Sequence, residues 1–139
     1  MNIQIASTRE DIAKCAEVLR ALRPHLDDKA ILDTVEQMLQ EGYILAFIEQ
    51  QGRAVAAVGY RYLQYLHHGK HFYIDDLSTL PTERKKGYAG LLLDFVMAQA
   101  RDRGYACVTL DSGYQRYDAH RLYLNKGFIL SSHHFVKKI

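Results

Sequence analysis

Leu77-Ser78-Thr79-Leu80-Pro81-Thr82-Glu83-Arg84-Lys85-Lys86-Gly87-Tyr88-Ala89-Gly90 joins the end of an extended segment to the start of a helix. Proline has no N–H to give a ladder, so Pro81 stops the strand read over His71 to Leu80. From Gly87 to Arg103, Leu91, Leu92, Phe95, Val96 and Ala100 recur at helical spacing and predict one apolar face. Gly104 ends that helix, and Tyr105 to Asp111 reads as a short strand buried on both faces. Strand, helix and strand across residues 71–111 make a right-handed crossover, which predicts two parallel strands.

Toward the N-terminus, Asn2 to Ala6 alternates like a strand, and Ser7 or Thr8 is placed to accept from the free amides of a first helical turn. Ile12, Cys15, Ala16, Leu19 and Leu22 continue that helix to Pro24, and Asp28 to Gln40 forms a second one closed by Gly42. Tyr43 to Ile48 and Arg53 to Leu66 read as strands around a turn at Gln50-Gln51-Gly52. Past the crossover, Ala119 to Asn125 is a short helix ended by Gly127. Phe128 to Leu130 and His133 to Lys137 read as two closing strands. The order β-α-α-β-β-β-α-β-α-β-β predicts an α+β (mixed α/β) domain over residues 1–139, a sheet with flanking helices.

The 139 residues suffice for one core of ordinary size, and 48% hydrophobic with 24% charged residues exclude disorder, collagen and coiled coil. Eighteen Lys and Arg against 16 Asp and Glu leave +2, too weak for a nucleic-acid footprint. Cys15 and Cys107 lie in apolar stretches with no metal-ligand spacing, as free thiols in a reducing compartment do. The first residues carry acids before any apolar run, and no apolar stretch approaches a membrane span. A cytoplasmic location, with no membrane and no nucleic-acid partner, is the expectation.

The chemistry sits in the loop. A helix N-terminus presents unpaired N–H groups and the positive end of the dipole, so it attracts phosphate. Gly87, Ala89 and Gly90 keep side chains out of the way, and Arg84, Lys85 and Lys86 add positive charge. A P-loop is excluded because no Gly-Lys-Ser/Thr follows, and the dinucleotide fingerprint because its glycine spacing is missing. Arg84-x-x-Gly87-x-Ala89 resembles the Q/R-x-x-G-x-G/A signature of the GNAT N-acetyltransferases. Ala119-His120-Arg121-Leu122-Tyr123-Leu124-Asn125-Lys126-Gly127-Phe128 resembles that family's closing motif, A-x-x-[FL]-Y-x-x-x-G-F. The resemblance runs from about Tyr43 to the end; the two N-terminal helices match in order and type. Tyr65-Leu66-His67-His68, Gln115 to Arg121 and His133 to Lys137 look like the aminoalkylphosphonate-acetylating branch, a run that members of unassigned substrate share.

The resemblance implies a mostly antiparallel seven-stranded sheet, an acetyl-CoA cosubstrate, a small primary amine as acceptor, direct attack and a possible homodimer. It assigns Leu77, Ser78, Thr79, Arg84, Lys85, Lys86, Gly87, Tyr88, Ala89 and Gly90 to the cofactor. The backbone of Leu77 would donate to the thioester carbonyl and that of Thr79 would pair with pantetheine. Tyr123 would be the acid for the departing thiolate. An alkylammonium ionises near 10.4, so a base must free the amine. Tyr73 stands where many relatives carry a Glu; Asp75 and Asp76 are the nearest acids, and strand alternation would send them to opposite faces, with Asp75 preferred as base. No metal is assigned: the histidines show no i, i+4 pair on one helix. A peptide acceptor and a non-catalytic CoA-binding sensor are the alternatives.

Overall fold

The computed structural model describes residues 2–139. Thr8 caps the first helix: its Oγ1 accepts from Asp11 N–H at 3.1 Å while Asp11 reaches back to the Ser7 and Thr8 amides, a reciprocal capping box. Those backbone bonds hold the Asp11 carboxyl below its usual range. The elements are β1 (Ile3–Ile5), α1 (Arg9–Leu22), α2 (Asp28–Gln40), β2 (Tyr43–Gln50), β3 (Arg53–Tyr65), β4 (Gly69–Thr79), a 3-10 turn (Pro81–Glu83), α3 (Tyr88–Asp102), β5 (Cys107–Leu110) and α4 (Tyr117–Asn125). The sheet order follows the chain, β1-β2-β3-β4-β5, and β1 through β4 pair antiparallel. Gln51 and Gly52 both take positive φ (53° and 80°), the mirror-image turn whose twist suits a hairpin.

The apolar runs of β2 and β3 leave no solvent-facing side. Leu45, Ala46, Phe47 and Ile48, with Ala54, Val55, Ala56, Ala57 and Val58, are all buried, each large side chain contributing about 1.5–3 kcal/mol. α1 packs on β3 and β4, and α2 on β2. α3 covers the other face, where Gln99 Nε2 donates to the buried Tyr60 hydroxyl at 2.7 Å. On α3 the buried stripe is Leu92, Leu93, Val96 and Ala100, whereas Leu91 is exposed. Its face is therefore rotated from the expected one, since packing on β3 and β4 selects the buried side.

The seven-stranded expectation is corrected to five strands. Phe128 to Leu130 and His133 to Lys137 form no strand among the described residues. Alternation states which face a strand would bury, but a strand exists only when a neighbour takes its N–H and C=O groups. Ile129, Leu130, Phe135 and Val136 remain 71–91% exposed instead. The chain divides into two compact units, residues 1–109 and 110–139. In the second, α4 ends in a Schellman motif: Gly127 takes φ 92°, Phe128 N–H donates to Tyr123 O (3.0 Å) and Gly127 N–H to Leu124 O (3.1 Å). The Tyr-x-x-x-Gly-Phe spacing is thus a helix stop as well as a motif.

Candidate active site

β4 carries the polar groups because its pairing with β3 is interrupted. Gly59 lies opposite Asp76 and Tyr60 opposite Ile74, so Asp75 is an extra residue with no partner on β3. Such a bulge breaks the two-residue alternation. Asp75 and Asp76 consequently line the same cavity together with Tyr73, which overturns the expectation that only one of them does. The cavity, about 440 Å³, lies between β4, β2 and the α1–α2 pair.

Each carboxylate has a fixed guanidinium. Arg61, beside it on β3, donates Nε to Asp75 Oδ1 (3.0 Å) and Nη2 to Asp75 Oδ2 (2.6 Å), the two-pronged geometry that only arginine offers. Arg23, at the end of α1, donates to Asp76 Oδ1 (2.9 Å) and to the Asp75 carbonyl (3.1 Å). Tyr43 Oη donates to Asp76 Oδ2 at 2.7 Å, and the Arg61 guanidinium stands 5.3 Å from the centre of its ring. That ring occupies the space over Gly59: a Cβ there would lie 1.6 Å from Tyr43 Oη. Burial pushes the Asp75 carboxyl up against the opposing pull of Arg61. Burial and the Asp76 charge push the Tyr43 phenol well up, so it stays a donor.

Beyond the bulge, β4 outruns its outer neighbour. β5 has four residues against eleven, and Ala106 N–H ties its start to Lys70 O near the beginning of β4 (2.9 Å). Four residues from that anchor do not reach Leu77 to Thr79, whose inner side pairs with Val58, Ala57 and Ala56. Ser78 turns its hydroxyl inward to Val18 O (2.7 Å), which locks α1 to the strand.

The chain then crosses Pro81–Glu83 to α3. Lys85 (φ 65°) and Gly87 (φ 84°) take left-handed conformations that turn the loop into the helix. No side chain caps α3 and its first turn holds no acid. Leu91 N–H reaches Gly87 O, leaving the amides of Tyr88, Ala89 and Gly90 ahead of that bond. Arg84 and Lys85 are exposed, whereas Lys86 pairs with Glu83 inside the loop. The Tyr88 side chain is buried and its hydroxyl accepts from Gln50, so only its backbone faces the loop. A diphosphate fits this end: free amides, a positive dipole and cations without a competing carboxylate in the turn.

Tyr123 lies on α4 in the 110–139 unit, its ring 5.9 Å from that of Phe128 and its phenol raised by burial. His67, His68 and His71 gather around Tyr65 at the β3–β4 turn. In the second unit, His120 meets Gly113 O at 2.9 Å and His134 stands 3.4 Å from Asp111. Among the described residues, no three His, Cys, Asp or Glu side chains assemble as a metal-ligand set, and no helix is long and apolar enough to cross a membrane. Sequence reasoning missed Tyr43, Arg23 and Arg61; the one signal for them was Gly59, an isolated glycine inside an apolar strand.

Residues 7–128 match the sequence model described as the Acetyltransferase (GNAT) family. The chain is 35% identical over 135 residues to the uncharacterized N-acetyltransferase YhdJ of Bacillus subtilis, covering 96% of this chain and 95% of that one. It is 28% identical over 138 residues to the aminoalkylphosphonate N-acetyltransferase of Salmonella typhimurium, covering 96% and 88%. Among solved structures, the aminoglycoside N-acetyltransferase AAC(6')-Iy in complex with CoA superposes with a TM-score of 0.83 at 16% identity, covering 99% of this chain and 95% of that one. At that identity the likeness is one of fold.

Proposed function

The chain belongs to the GNAT acetyltransferase family, and from this we propose that it moves the acetyl group of acetyl-CoA directly onto the primary amine of a small molecule in the cytoplasm. One observation carries the reading. The same strand that presents two carboxylates to a cavity continues, past a stretch its outer neighbour does not reach, into the uncapped N-terminus of α3. Bound acetyl-CoA supplies an activated acyl thioester.

The amides of Tyr88, Ala89 and Gly90, with Arg84 and Lys85, take its diphosphate. The open backbone edge at Thr79 pairs with the pantetheine arm, and the Leu77 N–H donates to the thioester carbonyl, a preorganised contact worth a few kcal/mol in the transition state. Asp75, facing the cavity from the bulge, accepts the proton that the ammonium must lose, directly or through water. The amine nitrogen then bonds to the acyl carbon as the C–S bond breaks. The family's closing motif assigns Tyr123 as the acid that protonates the thiolate, a transfer between groups whose usual pKa values lie only about 1.5 units apart. The phenol's pKa, raised by burial, keeps it protonated until that step. Free Cys15 and Cys107 suit a reducing compartment. The family resemblance adds a homodimer, which sedimentation equilibrium checks.

The test is release of free CoA thiol from acetyl-CoA against a panel of amines. Amine-dependent release is expected; tight CoA binding with no release for any acceptor would leave the sensor reading in its place.

A further inference from the structure

The cavity has two chemically different ends. Tyr43, Tyr73, Asp75 and Asp76, with Arg23, form one, while Leu19, Leu26, Ile31, Val35 and Met38 of α1, α2 and their connection, with His25 and Thr34 among them, form the other. We propose that the acceptor is a primary amine on an apolar body, an alkylamine or arylalkylamine whose nitrogen meets the β4 carboxylates while its hydrocarbon part lies on the aliphatic wall between α1 and α2. The proposal rests on the acetyltransferase reading above and names its substrate class.

Three features select this class over other amines. First, the polar end is already neutralised: two carboxylates face two guanidiniums, Arg61 on Asp75 and Arg23 on Asp76. An amine nitrogen finds lone pairs left on the carboxylate oxygens and the Tyr73 ring beside them, without a large net charge to satisfy. Second, an anionic group finds the guanidiniums already engaged, leaving His25 of the α1–α2 connection as the other basic side chain in the lining. Arg23 holds both Asp76 and the Asp75 carbonyl, and taking it away would strand a carboxylate that is only 14% exposed. Amino acids and aminoalkylphosphonates are therefore disfavoured, although a relative carries the latter in its name. Third, a polyamine or aminoglycoside would set its second ammonium against Leu19, Ile31 and Val35, where an unpaired charge is costly. At about 30 Å³ per water-sized group, 440 Å³ holds roughly fifteen non-hydrogen atoms, ample for an eight-carbon amine.

The experiment is a chain-length series. CoA-thiol release is measured for ethylamine, propylamine, butylamine, hexylamine and octylamine, with phenethylamine, 2-aminoethylphosphonate and spermidine alongside. In parallel, calorimetry gives each amine's Kd for the CoA-loaded protein. Burial of each methylene predicts a rise of about threefold in kcat/KM, roughly thirtyfold from propylamine to hexylamine, and a parallel fall in Kd. Spermidine and 2-aminoethylphosphonate are expected at least tenfold below hexylamine. Met38→Glu, which puts a charge at the aliphatic end, should flatten the slope; if that variant does not fold, the wild-type series decides alone. Turnover of amines with no dependence on chain length, or preference for the phosphonate or polyamine, overturns the inference and leaves the acetyltransferase reading intact. A slope in Kd without any CoA release upholds the cavity's ligand class and removes the transfer reaction. Neither binding nor release removes both.

Discussion

Replacing Gly59 by alanine should do far more than a methyl group ordinarily does in a strand. The backbone at Gly59 is ordinary extended strand, so alanine itself is not strained there and would on propensity alone gain about 0.5–1 kcal/mol. Against this, the new Cβ falls 1.6 Å from Tyr43 Oη and 2.2 Å from Cζ, where no real contact exists. The ring is 3% exposed and cannot swing outward without releasing Asp76 and leaving the Arg61 guanidinium. Displacing a packed ring costs about 1–3 kcal/mol, and losing a hydrogen bond to a charged acceptor about 1.5–3 more. The net expectation is a loss of about 2–4 kcal/mol, seen in urea unfolding as a lower midpoint at unchanged slope. A double-mutant cycle isolates the cause: in a Tyr43→Ala background the same Gly59→Ala change should cost less than 1 kcal/mol, because the space is vacant. Should Gly59→Ala alone stay within 0.5 kcal/mol of the parent, the ring does not occupy that space in solution, and the account of how Asp76 is held collapses.

Asp75→Asn is expected to lower kcat by roughly a hundredfold or more while CoA affinity holds, read by thiol release and calorimetry. Because burial raises the Asp75 carboxyl, its base form is lost at a higher pH than an ordinary carboxylate's as the solution is acidified. The acidic fall in kcat/KM should therefore begin early, and the asparagine variant should lack that limb. Tyr123→Phe should slow turnover while leaving CoA affinity nearly unchanged; a large affinity loss would show that the phenol helps hold the cofactor. Gly87→Val puts a β-branched residue at φ 84° on the diphosphate loop, and it should weaken CoA at least tenfold by calorimetry with a stability loss of about 1–2 kcal/mol. The Cys15 thiol, pushed by burial to about 12, should resist iodoacetamide at pH 8 until the protein unfolds, as peptide mapping would reveal.

Local signals were enough wherever a local interaction decides the outcome. Thr8 caps α1 through an amide three residues on, Gln51-Gly52 supplies the positive φ its hairpin needs, and Asp28–Gln40 forms the helix its apolar stripe specifies. The turn into α3 was equally readable, since a basic turn and small residues before a helix act through the backbone beside them. The closing segment marks where such signals stop. Phe128 to Lys137 has the composition of strands yet forms none, because composition cannot provide the neighbour that completes a ladder.

What belongs to the sequence alone is the family resemblance, the order of the first nine elements and the basic, small-residue turn that leads into α3. Tertiary structure alone decided the polar lining of the cavity. Pairing between β3 and β4 slips by one residue at Gly59, and the slip brings Asp75 to the same cavity as Asp76. Tyr43 and Arg23, 33 and 53 residues away along the chain from Asp76, then fix that carboxylate. A helix cap is settled by the next turn of backbone, but the direction of a side chain on a strand depends on how that strand registers against its neighbour.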